Sequence, residues 1–140
     1  VPSGRRITGQ CYLRDLYPTI GELTSVPVAP GVDGRSLAPL LRGEATEVYP
    51  FTVGYFRDVQ RMIRTDRWKL IAYPKIGRWQ LFDLRDDPAE LDDLSMKPER
   101  QTDLAELRGK LIEWQRQNRD TVTLPALAKV NPPEPSRPTQ

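Results

Sequence analysis

Histidine is missing from this sequence of 140 residues, and cysteine occurs once, at Cys11. Without histidine the chain lacks the usual general base of enzymes and their commonest transition-metal ligand, and it can form no Ser-His or Cys-His nucleophile pair. A single cysteine excludes an internal disulfide framework and a cysteine-rich zinc site. We expect Cys11 to be a small, buried or half-buried core residue, because free cysteine usually packs as a small hydrophobe.

Long apolar runs and an excess of one charge are also missing. No run approaches the roughly 18 apolar residues that a membrane-spanning helix needs, so we expect no membrane span. The 21 basic residues nearly cancel the 19 acidic ones, which leaves a net charge of +2. This balance does not create the basic field of a dedicated nucleic-acid binder. Because the chain begins with Val1 rather than Met, we expect a piece of a longer protein.

The first part of the chain predicts a helix within residues 13–26, followed by turn-forming prolines and glycines. Asp15 is expected to cap this helix or to lie in its first turn. Ser36 would then begin a second, short helix that Gly43 ends. The apolar positions that share one face of the first helix are Leu13, Leu16, Ile20 and Leu23.

The middle of the chain changes to the period-two pattern of strands. Four segments are rich in β-branched and aromatic residues, and turn-forming residues bound each of them, which predicts an antiparallel meander with one covered and one wet face. An amphipathic pattern from Leu104 to Trp114 predicts a long helix, and the proline-rich residues 121–140 predict an extended or disordered tail. The predicted fold is therefore α+β, a four-stranded antiparallel sheet packed by a long C-terminal helix. The predicted strands are residues 49–56, 59–65, 68–73 and 79–84.

Basic residues recur along these strands and their turns. Three roles remain open for them: nucleic-acid binding, a solvated face of the sheet, and a substrate-pocket or interdomain contact. Nucleic-acid binding needs basic and aromatic side chains on one exposed face. Period-two alternation instead separates Arg61 from Met62 and Trp68 from Lys69, which favours a solvated basic face with the aromatic rings turned toward the core. The third possibility is a role in a substrate pocket or an interdomain contact. The basic residues are Arg57, Arg61, Arg64, Arg67, Lys69, Lys75 and Arg78.

Six acidic residues within "DLRDDPAELDD" raise the question of a calcium site. A calcium loop of the helix-loop-helix type needs alternating oxygen ligands, a central glycine and a terminal bidentate glutamate. This stretch contains no glycine, so we interpret it as a solvated cluster that caps turns, and we predict no metal ligands in this chain. The acids are Asp83, Asp86, Asp87, Glu90, Asp92 and Asp93.

Four blocks, taken in order, resemble the C-terminal region of sulfatases of the arylsulfatase family, in the alkaline-phosphatase-like superfamily. "RDLYPTIGELTSVPVAPGVDGRSLAPLLRGE" resembles the segment that leads out of the catalytic core, and "MIRTDRWKLIAY" resembles a strand pair of the family. "LFDLRDDPAELDDLS" is similar to its LYDL…DPxE…NL element, and "LAELRGKLIEWQRQ" stands where the family places its C-terminal helix. The resemblance covers residues 12 to about 118, and its order and spacing are specific.

The resemblance also implies which chemistry is missing here. Sulfatases use a Cys or Ser in a C/S-x-P/A-x-R motif, oxidised to formylglycine, and a calcium ion held by Asp and Asn side chains. Cys11 is followed by "YLRD", which puts Leu13 where the motif has Pro or Ala and Asp15 where it has Arg. No catalytic residue can be assigned, and no cofactor is expected in this chain. Calcium and formylglycine are expected in the N-terminal part of the parent.

For the chain itself, the resemblance implies three regions. Residues 1–48 would end the catalytic core, residues 49–120 would form the C-terminal subdomain, and residues 121–140 would be the tail. In such enzymes this region contributes to the outer rim of the substrate pocket, so Tyr55 and Arg57, at the end of the first strand, are candidates for touching a substrate.

The expected function is therefore that of a structural, inactive C-terminal portion of a sulfatase. Its parent would hydrolyse sulfate esters or sulfamates of carbohydrates or small molecules. Its partner would be the catalytic core of the same polypeptide, and family habit favours a periplasmic or secreted parent. The competing hypothesis is a freestanding, non-catalytic binding module derived from a truncated sulfatase.

Overall fold

The computed structural model describes residue 4 and residues 6–127. Contacts within the chain divide it into two compact units, Val1–Thr52 and Val53–Gln140. The functional division proposed above, after residues 48 and 120, stays a prediction. Most of the predicted tail, residues 128–140, lies outside the described residues.

The first unit is built around two short helices. A 3-10 turn (Leu13–Asp15) leads directly into α1 (Leu16–Thr24), so the predicted helix is present. The second helix, α2 (Ala38–Arg42), ends at Gly43, as the sequence predicted. Gly43 adopts a φ of 81°, a left-handed conformation that glycine reaches without steric penalty, and so it closes the helix.

The second unit contains the predicted antiparallel sheet. Its four strands lie side by side in chain order, so each strand pairs with the next one along the sequence. Leu70 in the third strand lies opposite Ile63 of the second and Leu81 of the fourth, and these three side chains are fully buried. The strands are β1 (Thr52–Phe56), β2 (Gln60–Arg64), β3 (Trp68–Tyr73) and β4 (Arg78–Asp83).

The predicted long helix is also present, as α3 (Gln101–Gln117), and it packs against β2 and β3. Leu104, Leu107 and Leu111 on its inner face are almost completely buried. Burial of each leucine stabilises the unit by about 1.5–3 kcal/mol relative to leaving it exposed. None of the described helices is long and apolar enough to cross a bilayer.

Two expectations about single residues are wrong. Cys11 is exposed, because it lies in the irregular segment before the first turn, whereas Asp15 in that turn is buried. Arg61 is only 4% exposed and shares the helix-covered face with Ile63, so the basic residues do not all belong to a solvated face. Arg61 can be buried because Asp120 neutralises its charge.

Candidate functional site

The hairpin between β1 and β2 carries both residues that we predicted to touch a substrate, Tyr55 and Arg57. Its turn is closed by the backbone N–H of Val59, which donates to the carbonyl of Phe56 at 3.0 Å. Arg57 takes a φ of 46°, in the left-handed region. A side chain there costs about 1–2 kcal/mol, so the turn holds Arg57 in a conformation that the residue does not prefer.

Tyr55 is 69% exposed and is held from one side. Its ring centroid lies 6.2 Å from that of Trp114 on α3, and the Arg61 guanidinium carbon lies 5.5 Å from its centroid. Among the residues that the structure describes, no partner hydrogen-bonds to the Tyr55 hydroxyl. The ring is thus positioned by its neighbours while its polar end is open to solvent, an arrangement typical of recognition surfaces.

Arg57 is an exposed cation in the turn of the hairpin. Its carbonyl accepts a hydrogen bond from Nη1 of Arg61, and its guanidinium carbon lies 5.6 Å from the Phe56 ring centroid. Within residue 4 and residues 6–127 its guanidinium has no acidic partner. A planar guanidinium without a carboxylate partner can bind an anion through two parallel N–H donors, so Arg57 suits a sulfate or carboxylate ligand.

A groove of about 250 Å³ lies beside Tyr55 on the sheet. Gly54 keeps it open, because a Cβ atom at that position would lie 3.1 Å from Cε of Met62. Lys69 in its wall is already bound to Glu90, with 2.6 Å between Nζ and Oε2. The volume is below the roughly 300–1,000 Å³ of complete ligand pockets, so the groove can form one wall of a site but not a whole one. It is lined by Gly54, Tyr55, Phe56, Gln60, Met62, Lys69 and Ile71.

A larger depression of about 550 Å³ lies along β4, with an apolar wall that includes Trp79 and Leu104. Arg78 is the one cation among the described residues that line it. The Nη2 atom of Arg78 lies 3.1 Å from Oδ2 of Asp93, so its charge is already paired. The hairpin is therefore the better candidate for an anionic ligand.

Part of the acidic cluster after β4 caps turns, as the sequence predicted. One carboxylate oxygen of Asp87 accepts the backbone N–H groups of Leu91 and Asp92, at 2.7 and 2.9 Å. Asp93 accepts those of Leu81 and Ser95, at 3.2 and 3.0 Å. In the part of the chain that the structure describes, no group of three or more Asp, Glu, Cys or His side chains could hold a metal ion.

Asp83 departs from the solvated cluster that we expected. It is buried, and Oδ2 lies 2.6 Å from Nη2 of Arg67. The hydrogen bond from Arg67 lowers the pKa of Asp83, so both groups stay charged near neutral pH. The pair joins the end of β4 to the turn before β3.

Sequence reasoning missed a buried clamp behind Tyr55, formed by Arg61 and Asp120. Nε and Nη2 of Arg61 donate to the two oxygens of Asp120, at 2.7 and 2.8 Å, and Nε2 of Gln115 donates to Oδ2 at 2.8 Å. The bond from Arg61 lowers the pKa of Asp120 to about 2. The clamp holds the Arg61 guanidinium in place over the ring of Tyr55. Its partners are too far apart in the sequence for any local pattern to reveal it.

Asp15 is the corresponding polar centre of the first unit. It is fully buried, and its carboxylate accepts hydrogen bonds from the backbone N–H groups of Tyr12 and Arg35, at 2.6 and 2.9 Å. The hydroxyl of Tyr49 donates to the same carboxylate at 2.7 Å. Burial, and next the bond to Asp15, raise the pKa of Tyr49. Asp15 therefore organises its unit, and the predicted capping role is only part of what it does.

Comparison with known proteins identifies the family. A family model described as N-sulphoglucosamine sulphohydrolase, C-terminal, matches residues 4–117, which is most of the chain. The chain belongs to the sulfatase family and corresponds to the C-terminal region of a sulfatase. This sulfatase region is 32% identical to a Delta 4,5-hexuronate-2-O-sulfatase of Bacteroides thetaiotaomicron in an alignment of 114 residues that covers 76% of this chain and 24% of the relative. It is 30% identical to arylsulfatase K of Gallus gallus in an alignment of 125 residues that covers 79% of this chain and 23% of that protein.

Solved sulfatase structures share the fold. A 2-O GAG sulfatase matches with a TM-score of 0.67 and 31% identity, over 80% of this chain and 27% of its own. A protein solved in complex with its substrate, D-glucosamine-2-N,6-O-disulfate, matches with a TM-score of 0.62 and 28% identity, over 76% of this chain and 24% of its own. The family and the fold predicted from the sequence are confirmed. The chain spans about a quarter of the length of the relatives it matches.

Proposed function

We propose that this chain is the C-terminal portion of a sulfatase whose full-length parent hydrolyses sulfate esters, and that it shapes substrate access without performing the chemistry. The observation that carries the proposal is the exposed pair Tyr55 and Arg57 at one hairpin end, beside a groove, in a sulfatase C-terminal region. Sulfate-ester cleavage needs a nucleophile, a Lewis acid and an acid for the leaving oxygen. The sequence has no histidine and no C/S-x-P/A-x-R motif, so the chain alone is expected to release no sulfate.

Sulfated carbohydrate is the substrate class that the hairpin suits best. Two relatives support this choice, since one is a hexuronate-2-O-sulfatase and another was solved with a disulfated glucosamine. The guanidinium of Arg57 would bind sulfate or carboxylate oxygens of the sugar chain. Tyr55 would offer a fixed ring face and a free hydroxyl to a neighbouring sugar ring. Both residues would act at the rim, on parts of the substrate away from the bond that breaks.

Calcium and formylglycine would be supplied by the part of the parent that precedes this region. The residues here fit neither group. Cys11 lies outside a C-x-P/A-x-R motif, and no three acids converge among the described residues. The contribution of this chain would be to complete the core that holds those groups and to border the entrance to it.

Steady-state kinetics of the full-length parent on a sulfated disaccharide would test the rim role. We expect Arg57→Ala and Tyr55→Ala each to raise KM about tenfold with kcat within about twofold, because lost binding at a rim removes about 1–2 kcal/mol equally from ground and transition states. Arg64→Ala, an exposed arginine at the end of β2, is the matched control and should change neither constant. An unchanged KM in both hairpin variants would contradict the proposal.

A further inference from the structure

Helix α1 is oriented with its polar side toward its own unit. The hydroxyl of Thr19 accepts the backbone N–H of Leu37 at 2.8 Å and donates to the carbonyl of Asp15 at 2.6 Å. Glu22 binds Arg42, with 2.7 Å between Oε1 and Nη1. These contacts come from the side of the helix that would face solvent in an ordinary amphipathic helix. The apolar side of α1 therefore faces away from these contacts.

That apolar side is exposed along the whole helix. At 100° per residue, the α1 positions Leu16, Tyr17, Ile20 and Leu23 fall within an arc of about 120°, so they form one continuous stripe. Their exposed fractions lie between 43% and 60%, and the flanking Leu13 is 85% exposed. A contiguous apolar patch on the order of several hundred Å² marks an interaction surface in soluble proteins. We name it the α1 apolar face, and it comprises Leu13, Leu16, Tyr17, Ile20, Leu23 and Val26.

We infer that the α1 apolar face packs on the catalytic part of the same sulfatase polypeptide, in the sequence that precedes this region. This inference rests on the proposed function and says which surface joins the two parts. The relatives have about three quarters of their length outside the matched region, so a parent of similar length would hold a large catalytic part in the same polypeptide. Packing within one polypeptide does not lose the translational and rotational freedom that separate chains lose on association, so a patch of this size is sufficient.

A second copy of the chain is the weaker candidate occupant. A stable dimer buries about 800 Å² on each partner, and a nine-residue helix with its flanks offers less than that. The face also contains no charged residue that could fix the register of two copies. Packing on the catalytic part of the same polypeptide needs neither that buried area nor a charged residue to fix a register.

The test compares Ile20→Lys in the 140-residue chain and in the full-length parent enzyme. In the 140-residue chain we expect Tm to stay within about 2 °C, because the new charge would remain in water. In the parent we expect Tm to fall by about 5 °C or more, because the lysine would be buried without a partner. Ile76→Lys is the matched control, since Ile76 is 70% exposed in the turn before β4, and it should leave both Tm values unchanged.

Oxidative labelling of the unsubstituted proteins gives a readout that does not depend on a variant folding. Tyr17 should be modified several-fold more slowly in the parent than in the 140-residue chain, whereas exposed Met96 should react equally in both. Equal labelling of Tyr17 in the two proteins would overturn the inference and leave the proposed function intact. A gene that encodes no catalytic part would instead remove the proposed function itself.

Two other outcomes would also overturn the inference. If Ile20→Lys lowers the Tm of the 140-residue chain, the face is already covered within that chain. If the 140-residue chain forms a concentration-dependent dimer that Ile20→Lys converts to a monomer, the occupant is a second copy. Sedimentation velocity at several concentrations separates these results.

Discussion

Arg61 and Asp120 form a bidentate ion pair that joins β2 to the chain just beyond the end of α3. The two hydrogen bonds measure 2.7 and 2.8 Å, and the side chains are only 5% and 13% exposed. A pair buried to this degree contributes little net stability relative to apolar residues, but removal of one partner leaves a buried charge. The pair therefore ties the chain beyond α3 to β2, next to Tyr55 and its neighbour Trp114.

Asp120→Asn is expected to lower the free energy of unfolding by about 3 kcal/mol, because it leaves the Arg61 guanidinium buried and unpaired. Urea unfolding followed by tryptophan fluorescence measures the change. Glu106→Gln removes an acid from the exposed pair with Lys110 and serves as the control, with an expected loss of at most about 0.5 kcal/mol. Equal losses of unfolding free energy in the two variants would show that the buried pair stabilises the fold no more than the exposed pair does.

The same pair makes stability depend on acid pH. The pKa of Asp120 is lowered from 3.8 to about 2, so the folded state holds its carboxylate charged where the unfolded state would already bind a proton. The stabilisation of about 2 kcal/mol is complete above pH 4 and is lost as the pH falls toward 2. We therefore expect the difference between the wild-type chain and Asp120→Asn to shrink by about 2 kcal/mol between pH 6 and pH 2.

Urea titrations of both proteins at several pH values measure this difference. The other lowered carboxylates, such as Asp83, are present in both proteins and cancel in it. A difference that does not change between pH 6 and pH 2 would show that Arg61 does not hold the Asp120 carboxylate in its charged form.

The sheet could be predicted from the sequence because its signals are local. Period-two alternation and turn residues predicted β3 at its observed bounds and the other strands within a few residues. Gly77 lies in the turn before β4 and has a φ of 64°, a left-handed conformation for which turns favour glycine. The long helix was predictable for the same reason, since its apolar spacing lies within one continuous segment.

The buried charges could not be predicted, because burial of a charge depends on a distant partner. Arg61 looks like any solvated strand arginine until Asp120, 59 residues later, is placed beside it. Asp15 likewise depends on Arg35 and Tyr49, which no spacing rule connects to it. The sequence locates Tyr55 near the end of β1 and Arg57 in the turn that follows, but the groove beside Tyr55 needs Lys69 and Ile71 from β3.

Arg57→Gly is expected to leave the fold at least as stable as the wild-type chain. Glycine accepts the left-handed conformation at this turn, whereas a β-branched residue is strained there. We expect Arg57→Val to be less stable than Arg57→Gly by about 1–2 kcal/mol, as measured by urea unfolding. If the valine variant is the more stable of the two, the turn does not have the conformation described. A stable glycine variant also allows loss of the side chain to be assayed without loss of the hairpin.

Asp15→Ala is expected to loosen the first unit. It leaves the Tyr49 hydroxyl and the Arg35 N–H without their acceptor, and each lost bond to a charged group contributes about 1.5–3 kcal/mol. Hydrogen exchange should become faster at the backbone amides of Tyr12 and Arg35, while the amides of Ile63 and Leu70 in the sheet stay protected. Asp33→Ala, an exposed acid in the same unit, is the control and should leave exchange unchanged. Unchanged protection at Arg35 in Asp15→Ala would contradict the central role of Asp15.

The most direct measurement is the sequence of the genomic DNA immediately upstream of the codon for Val1. We predict an in-frame extension of several hundred codons that carries a C/S-x-P/A-x-R motif, which would place the nucleophile and the metal site in the same polypeptide. A stop codon and a ribosome-binding site directly before Val1 would contradict this prediction. The chain would then be a freestanding protein, and binding of sulfated sugars without hydrolysis would be the function to test.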